Sequence, residues 1–462
     1  MPQGDRQRLF GTDGIRGVAG EFPLDAHTVG AFARSLVENL ASEIGRAPRI
    51  VIGRDTRESG PLIERALTDG AMAAGAAVES AGVITTPGIA YLTRVTPFDA
   101  GVVISASHNP YRDNGIKVFS PSGKKLDDEM ERRIEAQLLS LRDRDPYALN
   151  KPSVSDAQDE RAHREAEYRE PYIDYLVQDV GRGLSLEGMR LAIDCANGAA
   201  SQIAPEVFRR LGAQLHVVAA APDGRNINEA CGSLHLEGLQ AEVVSRKLDL
   251  GIAFDGDADR AVFIDLRGQV VDGDVTLLIL ADLFRERGWL AGDMVVATVM
   301  SNVGLEIALR ERGLELVRAQ VGDRYVLEEL LKRGASLGGE QSGHIIFPQI
   351  SLAGDGIITA IELLRAVRDS GRTLGQLARQ MTRYPQVLVN VRVRTKPKLE
   401  TLAGVKAEMD RLEGELKGRG RLLVRYSGTE NLARVMIEGQ DLASIREQAD
   451  HLARTIVDAI GE

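Results

Sequence analysis

Only two cysteines, Cys195 and Cys231, occur in 462 residues. They are too few and too far apart for a disulfide framework or a zinc ribbon, so each is expected as a small core residue. Long apolar runs are also missing. "VTLLILADLF" (275–284) comes nearest and falls well short of the roughly 20 residues that span a bilayer. The N-terminal "MPQGDRQRLF" has no apolar h-region, so no secretory signal is read and a cytoplasmic enzyme is expected. Basic excess is absent: 57 Lys and Arg against 67 Asp and Glu leave a net charge of −10. That excludes a general nucleic-acid binder, whose affinity comes largely from Lys and Arg on phosphates. A local basic site for a small anion remains compatible with it. Neither a nucleic acid nor a membrane is expected as a partner.

Three familiar signatures are absent as well. No G-x-x-x-x-G-K-[ST] run occurs, so any phosphate holder is not a P-loop. No G-x-S-x-G elbow occurs, which argues against an α/β-hydrolase nucleophile. The acidic run "FDGDADR" (254–260) has Arg260 and Leu266 where an EF-hand needs Gly and Glu.

What is present is an ordinary soluble composition, 44% apolar and 27% charged, with 48 glycines. The length exceeds one core and implies three or four domains. Strand-like runs ending in polar loops and followed by helical periodicity recur three times: "RIVIGRDTR" (49–57) before 61–76, "RLAIDCANG" (190–198) before "SQIAPEVFRRLGA", and "MVVATVMSN" (294–302) before "VGLEIALRERG". The expected class is α/β, with three related mixed α/β domains at 1–150, 165–266 and 267–380. The charged stretch 141–170 reads as a connection. From about 384 the style changes: "PQVLVNVRVR" alternates like a half-buried antiparallel strand. A charged helix (399–416), "RLLVRY", "ARVMIEG" and a last helix (442–460) then make a smaller α+β domain, 384–462.

Four loops carry chemistry. In "FDGDADR" the carboxylates of Asp255, Asp257 and Asp259 crowd together, which favours a cation among them; Mg²⁺ suits such oxygens. Arg260 would steady that site or a phosphate oxygen. A solvated acidic turn is the plainer alternative. In "GGEQSGHII" (338–346), extended backbone would put Glu340, Ser342 and His344 on one face as a hydroxyl-reading surface for a sugar, although a polar turn has the same composition. In "RYSGTENLAR" (425–434), Arg425, Ser427, Thr429, Arg434 and the backbone around Gly428 could form an anion nest, or a hairpin turn with exposed hydroxyls. "SASHNP" (105–110) leaves an apolar strand, and beside an Asp cluster its serine suggests phosphoryl chemistry. Lys117 of "NGIKVF" is a candidate proton carrier or phosphate partner, and Arg16 of "GTDGIRG" a candidate anion contact.

Taken in order, "FGTDGIRG", "SASHNP" with "DNGIK", "DGDADR", "VGDRYV", "GEQSGHI" and "RYSGTENLAR" resemble the α-D-phosphohexomutase superfamily from residue 9 to about 440, and within it the phosphoglucosamine branch. The resemblance implies four domains around a central cleft, one loop from each. It implies Ser107 as the phosphoryl-carrying serine, with Asp255, Asp257, Asp259 and a phosphoserine oxygen holding one Mg²⁺. It assigns sugar hydroxyls to Glu340 and Ser342, with His344 beside them. The non-reacting phosphate goes to Arg425, Ser427, Gly428, Thr429 and Arg434, and the reacting end to His108, Lys117, Arg16 and Arg260.

The implied reaction interconverts glucosamine 6-phosphate and glucosamine 1-phosphate through a sugar 1,6-bisphosphate, which is also the activator. It lies on a route to UDP-N-acetylglucosamine and cell-wall precursors. A phosphoglucomutase or phosphomannomutase would use the same chemistry. A phosphatase with Asp255 as nucleophile would leave two loops unexplained. A kinase or self-phosphorylation as the source of the phosphate, and a homodimer, stay open. One departure is Asn431, where the family usually has Pro; it frees the backbone of Glu430.

Overall fold

A computed structural model describes residues 9–11, 13–144, 158–427 and 430–462. The chain divides into two compact units. One holds the residues up to Val299 together with Arg318–Ala378; the other holds Met300–Val317 and Arg379–Glu462.

The larger unit is built on sheets whose central strands are short and β-branched. Ala100–Ile104 is buried at every position, as a strand covered on both faces must be. It runs parallel to Arg49–Arg54 and antiparallel to Asp113–Phe119. The first sheet has six strands, with Phe10–Gly11 and Gly14–Val18 on one side and Ala77–Val83 on the other. Its core includes Phe10, Ile15, Phe32, Ile50, Ile104 and Ile116. Helix Ala26–Ile44 is capped by the Asp25 side chain, which accepts from the Thr28 N–H.

The second sheet has five strands. Arg190–Asp194 runs parallel to Gln214–Val218 and to Leu250–Phe254, and the last of these turns back antiparallel into Ala261–Asp265. The pair Phe254 and Ala261 closes this hairpin, so residues 255–260 form its tip. After Arg190–Asp194 the helix expected across 201–213 is confined to Ala204–Arg210, because Pro205 fits only its first turn. In the third sheet Met294–Thr298 runs parallel to Gly338–Gly339, which pairs antiparallel with Ile345–Ile346. "VTLLILADLF" lies in helix Gly273–Glu286, which buries most of its length. Among the described residues no helix is long and apolar enough to cross a membrane.

In the smaller unit, Leu432–Gly439 lies between Gln386–Arg392 and Gly420–Tyr426, all antiparallel. Val387, Leu412, Ile437 and Ile456 are among the residues that form its core with helices Ala403–Leu416 and Leu442–Ile460. Helix Val303–Glu311 also belongs here. The Val303 N–H and the Asn302 amide each reach the buried Glu438 carboxylate at 3.2 Å.

Candidate active site

Open α/β sheets gather ligands beyond the carboxyl ends of their strands. Ser107 follows Ala100–Ile104, the three aspartates follow Leu250–Phe254, and Glu340 follows Gly338–Gly339, all within the larger unit. Ser107 is 1% exposed and takes a left-handed backbone, φ 53°. Its hydroxyl donates to Asp255 Oδ2 at 2.5 Å and lies 3.2 Å from His108 Nδ1. Its own N–H donates to Ser105 Oγ, which donates in turn to the fully buried Asp55. Burial pushes the Asp55 carboxyl above its ordinary pKa in spite of Arg57 beside it.

Asp255, Asp257 and Asp259 are all buried, with one carboxylate oxygen of each within 4.8 Å of the others. Burial, then the charges of Asp259 and Asp257, raise the pKa of Asp255. Asp257 Oδ2 is engaged by the Thr86 hydroxyl at 2.6 Å and by Lys117 Nζ at 3.0 Å. Asp257 Oδ1 is buried without a hydrogen-bond donor, and Asp259 Oδ1 has only the longer ion-pair contacts to His344 and Arg260. A buried carboxylate oxygen with no donor is costly unless a cation meets it, and an all-oxygen donor set suits a hard divalent ion. The three residues therefore fit a metal.

A belt of alternating charge surrounds them. Lys117 is buried among Asp13, Asp257 and Asp259; burial opposes its charge, but these carboxylates outweigh it and hold the ammonium protonated. That surrounding suits a counter-charge better than a proton carrier. Lys125 pairs with Asp13 and, at 2.7 Å, with Asp323. His344 closes the belt, 3.5 Å from Asp259 and 3.7 Å from Asp323. Burial disfavours its cation, yet Asp259 raises its pKa to about 9. His108 is the opposite case: burial, then Arg260 and Arg16, lower it to about 4, so its imidazole is neutral. Arg16 pairs with Asp13 and reaches the Ala106 carbonyl at 3.1 Å. The Arg260 N–H donates to Asp255 Oδ1, while its Nε is 3.8 Å from Asp259.

Part of this set lines a cavity of about 480 Å³ whose wall includes Arg16, His108, Arg260, Asp323, Glu340 and His344. The expectation of an extended "GEQSGHI" face is not met. Residues 341–343 reverse the chain, with the Gly343 N–H donating to the Glu340 carbonyl. Gly343 has φ +92°, and a Cβ there would lie 2.3 Å from the Ala261 carbonyl, so the turn presses on the metal-loop hairpin. Glu340 and His344 still share the cavity because they flank one reversal. Ser342 sits at its tip, with its hydroxyl oxygen buried and without a partner.

The last loop belongs to the smaller unit. Arg425 and Arg434 are direct cross-strand partners, and Arg434 pairs with Glu430 at 3.2 Å. The Ser427 N–H donates to the Leu432 carbonyl, and its hydroxyl accepts from the Glu430 N–H. Gly428 and Thr429 lie outside the described residues.

Several residues of this site were not singled out from the sequence. Asp13 and Asp323 stand inside quoted motifs, "GTDGIRG" and "VGDRYV", and were passed over. Asp55 and Arg57 directly follow the parallel strand Arg49–Arg54, the place where α/β ligand loops sit, and that position was the available signal. Lys125 and Thr86 carried none.

Comparison with known proteins agrees with this geometry. The phosphoglucomutase/phosphomannomutase family matches in four parts: alpha/beta/alpha domain I over residues 7–145, domain II over 170–268, domain III over 272–384, and the C-terminal domain over 388–455. A phosphoglucosamine mutase of Solibacter usitatus is 50% identical over 457 residues, covering 98% of this chain and 99% of the relative. A phosphoglucomutase/phosphomannomutase family protein of Burkholderia thailandensis shares the fold with a TM-score of 0.79 at 23% identity, over 98% of both chains. The N-acetylphosphoglucosamine mutase of Aspergillus fumigatus, solved with GlcNAc-6P and magnesium, shares it with a TM-score of 0.63 at 19% identity, over 98% of this chain and 96% of that one. A serine hydrogen-bonded to one of three clustered, buried carboxylates, and 50% identity to a phosphoglucosamine mutase over nearly the whole chain, lead to one conclusion: the chain belongs to the phosphoglucosamine mutases of the phosphoglucomutase/phosphomannomutase family.

Proposed function

We propose that this chain interconverts glucosamine 6-phosphate and glucosamine 1-phosphate, with Ser107 as the phosphoryl carrier and a 1,6-bisphosphate as intermediate and activator. The observation that carries the reading is Ser107 Oγ, 2.5 Å from Asp255 within a buried trio of carboxylates. Asp255, Asp257 and Asp259, with an oxygen on Ser107, would hold one Mg²⁺. That ion would neutralise charge on the phosphoryl group in flight.

Phosphoryl transfer asks a protein mainly for position and counter-charge. Arg16 and Arg260 line the cavity beside the serine, and Lys117 lies behind the carboxylates. When the phosphoryl group leaves Ser107 for the sugar, the Oγ–P bond breaks, a new O–P bond forms, and the sugar hydroxyl's proton ends on Oγ. Neutral His108, 3.2 Å from Oγ, is placed to relay it. On the return step the second phosphate reforms the bond to Oγ and the proton travels back. Arg425, Ser427 and Arg434, with Gly428 and Thr429, would hold whichever phosphate is not reacting. With this reading go a cytoplasmic setting and a sugar phosphate as the partner.

A phosphatase with Asp255 as nucleophile is disfavoured, because it leaves the buried Ser107, whose hydroxyl donates to Asp255, without a role. The amino sugar is favoured by Glu340, whose carboxylate can pair with a C2 ammonium. Charge-assisted bonds are about twice as strong as neutral ones. The test is a panel of glucosamine, glucose, mannose and N-acetylglucosamine 6-phosphates compared by kcat/KM with the matching bisphosphate. Glucosamine 6-phosphate is expected to lead by about tenfold or more. A lead of that size for glucose or mannose would overturn the substrate and leave the mutase chemistry standing.

A further inference from the structure

Ser107 occupies a backbone region that a non-glycine residue adopts only when its surroundings enforce it, at a cost of about 1–3 kcal/mol. The enforcement comes from the carbonyl side. The Ser107 carbonyl accepts from Arg57 Nη2 at 3.0 Å and from Asn228 Nδ2 at 2.9 Å. Two residues on, the Asn109 carbonyl accepts from the same two groups, at 2.9 Å and 3.0 Å. One guanidinium and one amide thus grip both carbonyls of the turn. Arg57 is 1% exposed and Asn228 9% exposed. Arg57 is itself fixed by Asp55 at 3.1 Å, and Asp55 also holds Ser105, which accepts the Ser107 N–H.

Asn228 arrives from a different sheet. It belongs to "NINEACG", in the loop region after strand Gln214–Val218, and its N–H donates to the Ala196 carbonyl. It is left-handed too, φ 58°, a conformation that asparagine tolerates. Gly256, between two of the aspartates, leaves room for the grip. A Cβ there would lie 2.6 Å from the Ser107 carbonyl and 3.0 Å from Asn228 Nδ2.

We propose that Asn228, together with Arg57, is a positioning residue that locks the Ser107 backbone, so that Oγ keeps its place over Asp255 whether or not it carries phosphate. This rests on Ser107 as the carrier. The need for a lock is electrostatic. Phosphorylation adds about −1.5 to −2 charges beside the carboxylates, the cation they would hold and the guanidiniums of Arg16 and Arg260, so the forces on the side chain change each time the group arrives or leaves. A neutral amide and a guanidinium already paired with Asp55 hold the main chain without answering to that charge. A serine held only through its hydroxyl would shift by the small distances that cost a transfer reaction dearly.

The experiment compares Asn228→Gly and Asn228→Asp with the wild type and with Ser107→Ala. Glycine keeps the left-handed backbone and removes only the amide. Aspartate keeps the shape but turns an acceptor toward two carbonyls. The expected result for both Asn228 variants is a kcat lower on the order of 10- to 100-fold, with KM for glucosamine 6-phosphate and the Mg²⁺ Kd within about twofold of wild type. A merely structural role would move KM, metal affinity and Tm together. Wild-type kcat in N228G, or in N228D should N228G not fold, overturns the lock. A parallel rise in KM and loss of Mg²⁺ binding overturns it as well. Turnover surviving in S107A would defeat the carrier reading and the lock with it, whereas an inactive S107A beside a fully active N228G would defeat the lock alone.

Discussion

Arg425 and Arg434 stand directly opposite each other on adjacent antiparallel strands, so both guanidiniums leave the same face of the sheet. Like charges so placed repel, and Glu430 pairs with Arg434 alone, so the pair suits an anion that joins both guanidiniums. A phosphate would do so, since each guanidinium can meet it in bidentate fashion. Arg425→Ala should therefore weaken glucosamine 6-phosphate binding by about 2–4 kcal/mol, roughly 30- to 1,000-fold. It should leave the Tm of the ligand-free protein unchanged or slightly higher. Titration calorimetry and a thermal melt on the same sample check both halves. Unchanged sugar-phosphate affinity would remove the pair from the site.

Asp257 gives the sharpest test of the metal. Its Oδ2 is already engaged by Thr86 and Lys117, while its Oδ1 is buried without a donor. Asp257→Ala should cut kcat by about 100-fold or more and abolish the heat of Mg²⁺ binding, the scale of losing a main source of transition-state charge stabilisation. EDTA should silence the wild type, and added Mg²⁺ should restore it. Full turnover in metal-free buffer would contradict the assignment.

Asp355 links stability to pH. Burial raises its pKa to about 6, against 3.8 unperturbed, although it caps helix Gly356–Ser370 and accepts from Tyr172 at 2.5 Å. Its folded pKa lies above its unfolded one, so between pH 3.8 and about 6 the folded state holds the extra proton. Stability from this group is therefore greatest at low pH, falls as pH rises through that window, and is level above it. Asp355→Asn keeps an acceptor at the cap and removes the dependence. The Tm of the variant relative to wild type should climb between pH 4 and 7, by up to about 3 kcal/mol of stability. A flat difference would mean that Asp355 stays ionised throughout.

The sequence was most informative where chemistry and local order coincide. The strands before "SASHNP" and "DGDADR" are apolar throughout and leave no polar face, and the loops after them were visible as sudden polarity. The aspartates and Ser107 were legible for that reason. Period-two reasoning failed at Glu340–His344, because a left-handed glycine reverses the chain there and alternation no longer means a shared face. The belt through Asp13, Lys125 and Asp323 was not legible. Lys125 meets Asp13 and Asp323 from 112 and 198 positions away in the chain, and a single Asp beside a glycine looks like any surface turn. Asn228 is the extreme case, since its amide acts on Ser107, 121 residues earlier.

The central claim is that Ser107 carries the phosphoryl group. The direct measurement is peptide mass mapping of the enzyme after incubation with glucosamine 1,6-bisphosphate and Mg²⁺, followed by a chase with glucosamine 6-phosphate. Phosphate should be found on Ser107 and not on Ser105, should pass to the sugar during the chase, and should be absent from an inactive Ser107→Ala variant that melts like the wild type. Phosphate on Ser105, or a Ser107→Ala variant that still turns over, would contradict the account.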